Sequence, residues 1–101
     1  MNATTFHTRA TPGATPSATV AAVTGYRPYI KGIYVYVDTV GRTLTVTSGG
    51  VTLFTLPGLG IGAHNVPLEE MPGYNLGEAL VASLDAGTTQ QVNIWGFHRS
   101  I

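Results

Sequence analysis

The chain is predicted to be all-β, an antiparallel β-sandwich or jelly roll of seven to eight short strands, and three observations lead there. Apolar and polar residues alternate with a period of two, most clearly through GIYVYVDTVGRTLTVTSGGVTLFTLPG at residues 32–58. Such runs recur at intervals of about ten residues, punctuated by Gly, Pro, Ser and Asp. No segment has a convincing helical period, so the helical crossovers that a parallel sheet needs are missing. A closed β-barrel is the nearest competing architecture.

Taken in order, residues 1–17, MNATTFHTRATPGATPS, hold Thr, Ala and Pro without an apolar period. Pro12 and Pro16 lack backbone donors and keep their predecessors extended, which predicts an extended N-terminal arm. It is either a loose tail or a strap across another surface, and Phe6 among the threonines favours the strap. Residues 18–101 are predicted to form a single sandwich domain. ATVAAVTG supplies a short strand closed by Gly25. Strict alternation in YIKGIYVYVDT sets Lys31, Ile33, Val35 and Val37 on the core side and Ile30, Tyr34, Tyr36 and Asp38 on the other. Val40-Gly41-Arg42 turns the chain into TLTVTS, where Leu44 and Val46 face one way and β-branched threonines, which suit a strand, face the other.

Ser48-Gly49-Gly50 reads as a hairpin turn, because glycine supplies the positive φ that primed turns require. The returning run VTLFTLP is expected to stop at Pro57. Five glycines and two prolines in GLGIGAHNVPLEEMPGYNLG predict loops around one short strand near residues 63–68. In GEALVASLDAG the composition favours helix, but the run is short and uncapped. A period of two, which sets Leu80, Ala82 and Leu84 on one face, makes it a strand. In the last run Val92, Ile94 and Gly96 oppose Asn93, Trp95 and Phe97.

Composition narrows the function. A chain of 101 residues can bury one core. It has no cysteine, so disulfides and thiolate metal sites are excluded. Five basic and five acidic residues cancel, and the basic ones are isolated in sequence, which argues against nucleic acid as a partner. The apolar runs fall far short of the roughly 20 residues of a membrane-spanning helix, and the first residues are polar, so neither a membrane partner nor secretion is expected. Charged residues make up 10% of the chain against about 25% in an average domain, which predicts faces covered by neighbouring chains.

Candidate chemistry is sparse. The acids are Asp38, Glu69, Glu70, Glu78 and Asp85; Glu69 and Glu70 are adjacent and point apart in extended chain, and Asp85 reads as a turn residue. His7, His64 and His98 lie in separate segments without metal-ligand spacing, so no metal site is predicted. No serine sits in a nucleophile elbow, and GLGIG lacks the helix that would let it bind phosphate. No catalytic residue is assigned, no cofactor is required, and the chain is not expected to be an enzyme. Tyr26, Tyr29, Tyr34, Tyr36, Tyr74, Trp95 and Phe97 remain, with Tyr34 and Tyr36 opposite the aliphatic side. Interface formation, ordinary packing and stacking on sugar rings are all open to them.

The order of the arm HTRATPGATPSATV, the run IKGIYVYVDTVGRTLTVTSGGVTLFTL, the loop VPLEEMPGY and GEALVASLDAGTTQQVNIWGF resembles jelly-roll capsid decoration, or cement, proteins of tailed bacteriophages. That resemblance implies a homotrimer made in the host cytoplasm and placed on the outer capsid surface of the virion. Its partner would be the major capsid protein. Phe6, His7, Arg9, Tyr34, Tyr36, Trp95 and Phe97 become the candidate capsid or trimer interface. The alternative is a tail-fibre or spike module that recognises a host glycan through outward aromatic residues. A small hydrolase or isomerase on a cupin-like barrel would need a histidine and carboxylate cluster that the chain lacks.

Overall fold

The computed structural model describes residues 3–100. Its strands are β1 (Ala3–Arg9), β2 (Ser17–Val20), β3 (Tyr26–Val37), β4 (Arg42–Ser48), β5 (Val51–Leu59), β6 (Gly62–Pro72), β7 (Leu80–Leu84) and β8 (Gln91–Ser100). They form two four-stranded sheets in the orders β1-β8-β3-β6 and β2-β7-β4-β5. Every pairing is antiparallel. The chain is therefore the all-β sandwich that its alternation predicts.

One apolar seam joins the layers. The first sheet contributes Ile30, Ile33, Val35, Val92 and Ile94, the second Leu44, Val46, Leu80 and Ala82, and all are fully buried. Removing such a side chain from water stabilises the fold by about 1.5–3 kcal/mol for Val, Leu or Ile. The strand expected within GEALVASLDAG is present as β7, with Leu80, Ala82 and Leu84 buried and Val81 and Ser83 half-buried.

Four local expectations are corrected. Residues 3–9 are not an arm beyond the sheet: they pair with β8 from Ala3 opposite Arg99 to Arg9 opposite Asn93. β-branched threonines suit an edge strand, Phe6 packs against the core, and both prolines fall after the strand, where no ladder donor is needed. Alternation along β3 is not strict, because a bulge between Ile30 and Gly32 changes its phase. Ile30 is consequently buried and Lys31 exposed, the reverse of the strict alternation. β5 continues past Pro57 because it is an edge strand and has no neighbour on one side to accept a hydrogen bond. β6 is longer than residues 63–68 and turns at Glu69 and Glu70, which have positive φ of 46° and 62°.

The loops are tied by polar side chains at opposite ends of β4. Gln90 is buried; its Nε2 donates to Ala14 O at 3.1 Å and Asp85 O at 2.9 Å, and its Oε1 accepts from Asp38 N at 3.3 Å. Asp38 accepts from the backbone N–H groups of Thr89 and Thr88 and from the Thr39 hydroxyl. At the other end the Ser48 hydroxyl donates to Glu78 at 2.6 Å and accepts from Tyr74 N at 3.1 Å. These bonds hold the Asp38 carboxyl below its ordinary range, chiefly through Thr89, and the Glu78 carboxyl below its own, chiefly through Ser48. His98 lies within the sandwich, its ring 5.2 Å from that of Phe6, and burial lowers its pKa. Its Nδ1 is buried with no hydrogen-bond partner among the described residues.

A Cβ at Gly96 would drive into the carbonyl oxygen of Tyr29 on the neighbouring strand, whereas one at Gly13 would meet nothing within 4 Å. Gly96→Ala should destabilise the protein by about 3 kcal/mol or more, the upper end for overpacking, and Gly13→Ala by far less. Urea titration of the two variants checks this. All three shifted groups bind fewer protons folded than unfolded, so stability should decline on acidification. The His98 effect is absent above its ordinary pKa of 6.5 and grows as the pH falls below it. The carboxylate contributions are complete above the ordinary values of 3.8 and 4.5 and are lost as the pH falls through the lower folded values. Denaturation midpoints measured against pH should show both regions, with His98→Phe flattening the first and Asp38→Asn reducing the second.

Candidate functional site

With aliphatic side chains filling the seam, the alternate residues of β3, β8 and β1 are forced onto the outer face of their sheet. From β3 these are Tyr29, Lys31, Gly32, Tyr34 and Tyr36; β3 is a central strand, so exposed Lys31 has only the outer face to occupy. From β8 they are Gln91, Asn93, Trp95, Phe97 and Arg99, and from β1 Thr5, His7 and Arg9. The register sets Tyr36 beside Gln91, Tyr34 beside Asn93, Gly32 beside Trp95 and Tyr29 beside Phe97. His7 lies beside Trp95 and Arg9 beside Asn93 on the opposite flank of β8.

The rings follow one another along the register of β3 and β8, and two pairs of them are in contact. Tyr29 and Phe97 stack with centroids 5.1 Å apart and 11° between their planes. The Arg99 guanidinium carbon lies 5.1 Å from the Tyr29 centroid and 4.8 Å from that of Phe97, close enough for cation–π attraction to both. Trp95 lies over Gly32, with three indole carbons 2.5–3.1 Å from where a Cβ would stand, so a side chain at position 32 would lift the indole from the sheet. His7 meets Trp95 edge-on at 6.1 Å and 70°. Tyr34 and Trp95 are half-buried, and Tyr36 is 41% exposed. Between the rings, Gln91 Nε2 donates to Ala10 O at 2.8 Å and to Asn93 Oδ1 at 2.7 Å. That bond commits the Asn93 carbonyl, so its amide N–H groups are what Asn93 offers to a ligand.

Of the residues singled out from sequence, His7, Arg9, Tyr34, Tyr36, Trp95 and Phe97 share this face. Phe6 does not, since it is turned into the sandwich against His98. Tyr29, Lys31, Gln91, Asn93 and Arg99 belong to the face but lie outside the predicted interface set, although Tyr29 is among the aromatic residues named from the sequence. The bulge hides the first two, because strict alternation sets Tyr29 and Lys31 with the core; the adjacent Lys31-Gly32 pair is the only sequence sign of it. His64 lies on β6, its Nε2 2.8 Å from Gly60 O, apart from the other two histidines. Among the described residues no group of three or more His, Asp or Glu is placed to hold a metal ion. The site is an open sheet face, with Lys31 and Tyr36 exposed and Tyr29, Tyr34 and Trp95 half-buried.

No protein-family model matches the chain, and no curated protein matches it. Among solved structures it is similar to a carbohydrate-binding module, CBM36, in complex with calcium and xylotriose, at 14% identity and a TM-score of 0.48, over 88% of this chain and 77% of that one. It is also similar to the CBM36-1 domain of a multidomain xylanase from the hindgut metagenome of Trinervitermes trinervoides, at 13% identity and a TM-score of 0.47, over 94% of this chain and 98% of that one. The capsid decoration protein expected from the sequence is corrected here. Both of these structures are carbohydrate-binding modules. Within the expected anchoring strap of residues 1–17, Ala3–Arg9 are instead a strand of the chain's own sheet, and residues 1–2 lie outside the described residues.

Proposed function

We propose that the chain is a non-catalytic glycan-binding module that receives a polysaccharide along the outer face of β1, β8 and β3. The observation that carries this reading is the row of partly exposed rings running from Tyr36 through Tyr34 and Trp95 to Tyr29, which is stacked on the buried Phe97. Along β3 that row spans roughly 20 Å at the ordinary rise of a strand, a length suited to several sugar rings in line. The negative face of an aromatic ring attracts polarised C–H groups, which a pyranose presents on its flat sides. Sugar hydroxyls at the edges need hydrogen-bonding partners, and Asn93, Gln91, His7 and Asn65 stand beside the rings to supply them.

A platform of this kind selects by shape and stacking, and it needs no general acid, nucleophile or metal. Most of its affinity would come from the central ring, because that ring is held in place on both sides. Trp95 is backed by Gly32 and flanked by His7, so little side-chain freedom remains to be lost when a ligand arrives.

Trp95 is the only tryptophan in the chain, so its fluorescence reports on this face alone. A glycan array should identify bound oligosaccharides, and titrating one of them should shift the Trp95 emission. Trp95→Ala should weaken binding by roughly tenfold or more, corresponding to about 1.4 kcal/mol or more, while thermal unfolding stays cooperative. Unchanged binding by a folded Trp95→Ala protein would contradict the reading.

A further inference from the structure

The formal charges of the chain cancel, but they do not cancel on this face. Of the five basic residues, Arg9, Arg27, Lys31 and Arg99 lie on β1, β3 and β8, and those three strands contain no Asp or Glu. The segregation is four cations to no anions on the strands that carry the rings. The acids lie elsewhere, Glu69 and Glu70 on the edge strand β6 and Asp38, Glu78 and Asp85 in loops at the ends of the sandwich.

The four cations are not equivalent. Arg27 is engaged in the fold, donating to Gly73 O at 2.9 Å and to Tyr74 O. Arg99 is laid over Tyr29 and Phe97 and has Glu70 at 3.6 Å, a solvent-exposed pair of the kind that contributes little and leaves guanidinium donors for a second carboxylate. Arg9 and Lys31 are exposed and have no ion-pair partner among the described residues. Arg9 stands at the level of Asn93, Lys31 at the level of Trp95 and Arg99 six residues along β8 from Asn93. At the rise of a strand, Arg9 and Arg99 are roughly 20 Å apart along the face, with Lys31 between them.

We propose that the ligand of this face is an acidic polysaccharide, whose sugar rings stack on the aromatic row while their carboxylates reach Arg9, Lys31 and Arg99. This rests on the reading of the face as a glycan platform and adds the class of glycan. The spacing of the cations favours a sugar chain over single-stranded nucleic acid, the other polyanion that stacks on aromatic rings. A nucleic acid strand carries a charge about every 3.4 Å in a helix, so cations about 10 Å apart would leave most of its phosphates unmatched. A polysaccharide charged only on some of its rings has the sparser spacing that this face can meet.

The test is a binding titration followed by Trp95 fluorescence, with oligosaccharides of polygalacturonate, alginate and hyaluronan as acidic probes. Xylo-oligosaccharides and cello-oligosaccharides serve as neutral probes, and oligo-dT as the nucleic acid. At least one acidic probe should bind more tightly than every neutral one, and raising salt to several hundred millimolar should weaken it, because exposed charges are screened within a Debye length. The double variant Arg9→Gln/Lys31→Gln should lose about three- to tenfold in affinity for that probe and keep its thermal stability. Neutral probes bound as tightly as acidic ones, with no salt dependence, would overturn the acidic assignment and leave the platform standing. Oligo-dT bound as tightly as the best acidic probe would overturn it in favour of nucleic acid. No binding of any sugar, acidic or neutral, would overturn the platform itself.

Discussion

The space between the two sheets sets every other feature of this molecule. Face-to-face sheets stand about 10 Å apart, and side chains must fill that gap at the density of an organic crystal. Ile30, Ile33, Val35, Val92 and Ile94 on one side meet Leu44, Val46, Leu80 and Ala82 on the other, and none retains contact with water. With the gap filled by branched aliphatic residues, the large rings of β3 and β8 have no place within it. Their position outside follows from the pleat. The bulge at Lys31 extends this arrangement along the whole of β3, since without a change of phase either Ile30 would face water or Tyr29 would have to enter the core.

A rigid interior also gives a rigid surface. Trp95 rests on Gly32, Tyr29 on Phe97, and Arg99 on both of the latter rings, so the outer side chains support one another. The loops at the ends of the sandwich are fixed by a different means, with carboxylates taking backbone N–H and hydroxyl donors at Asp38 and Glu78. Those acids are occupied in holding the chain, whereas the ring-bearing face carries Arg9, Lys31 and Arg99, with Glu70 of the neighbouring strand β6 3.6 Å from Arg99. Asp38 and Glu78 thus organise loops, while Arg9, Lys31 and Arg99 stand with the rings on one sheet.

Much of this was legible in the sequence, wherever the signal was local. Alternation gave the inward set Ile33, Val35, Leu44, Val46, Val92 and Ile94 and the outward set Tyr34, Tyr36 and Trp95, since a period of two needs no knowledge of the partner strand. Glycine pairs marked the turn at Gly49-Gly50, where both residues have positive φ. What depended on distant pairing was not legible. Whether Ala3–Arg9 completes this sheet or lies elsewhere is decided by the open edge of β8, some 90 residues away in sequence. The bulge at Lys31 arises where β3 pairs with β8 on one side and β6 on the other, and an alternation rule passes over it. The clustering of four bases on three adjacent strands is invisible in a chain where they are scattered singly, and their apparent isolation concealed the charge of the face. The likeness to capsid decoration proteins rested on the order of features, and an order of short strands is shared by sandwiches of many functions.

The central claim is that the outer face of β1, β8 and β3 is where a glycan binds. Its most direct test is a nuclear magnetic resonance titration of isotope-labelled protein with oligogalacturonate, following every backbone amide and the Trp95 indole N–H. The account predicts that the shifted resonances map to Tyr29–Tyr36, Gln91–Arg99 and Thr5–Arg9, with the Trp95 indole among the largest changes. Shifts confined to β2, β4, β5 and β7 or to the end loops, or none at saturating oligosaccharide, would contradict it.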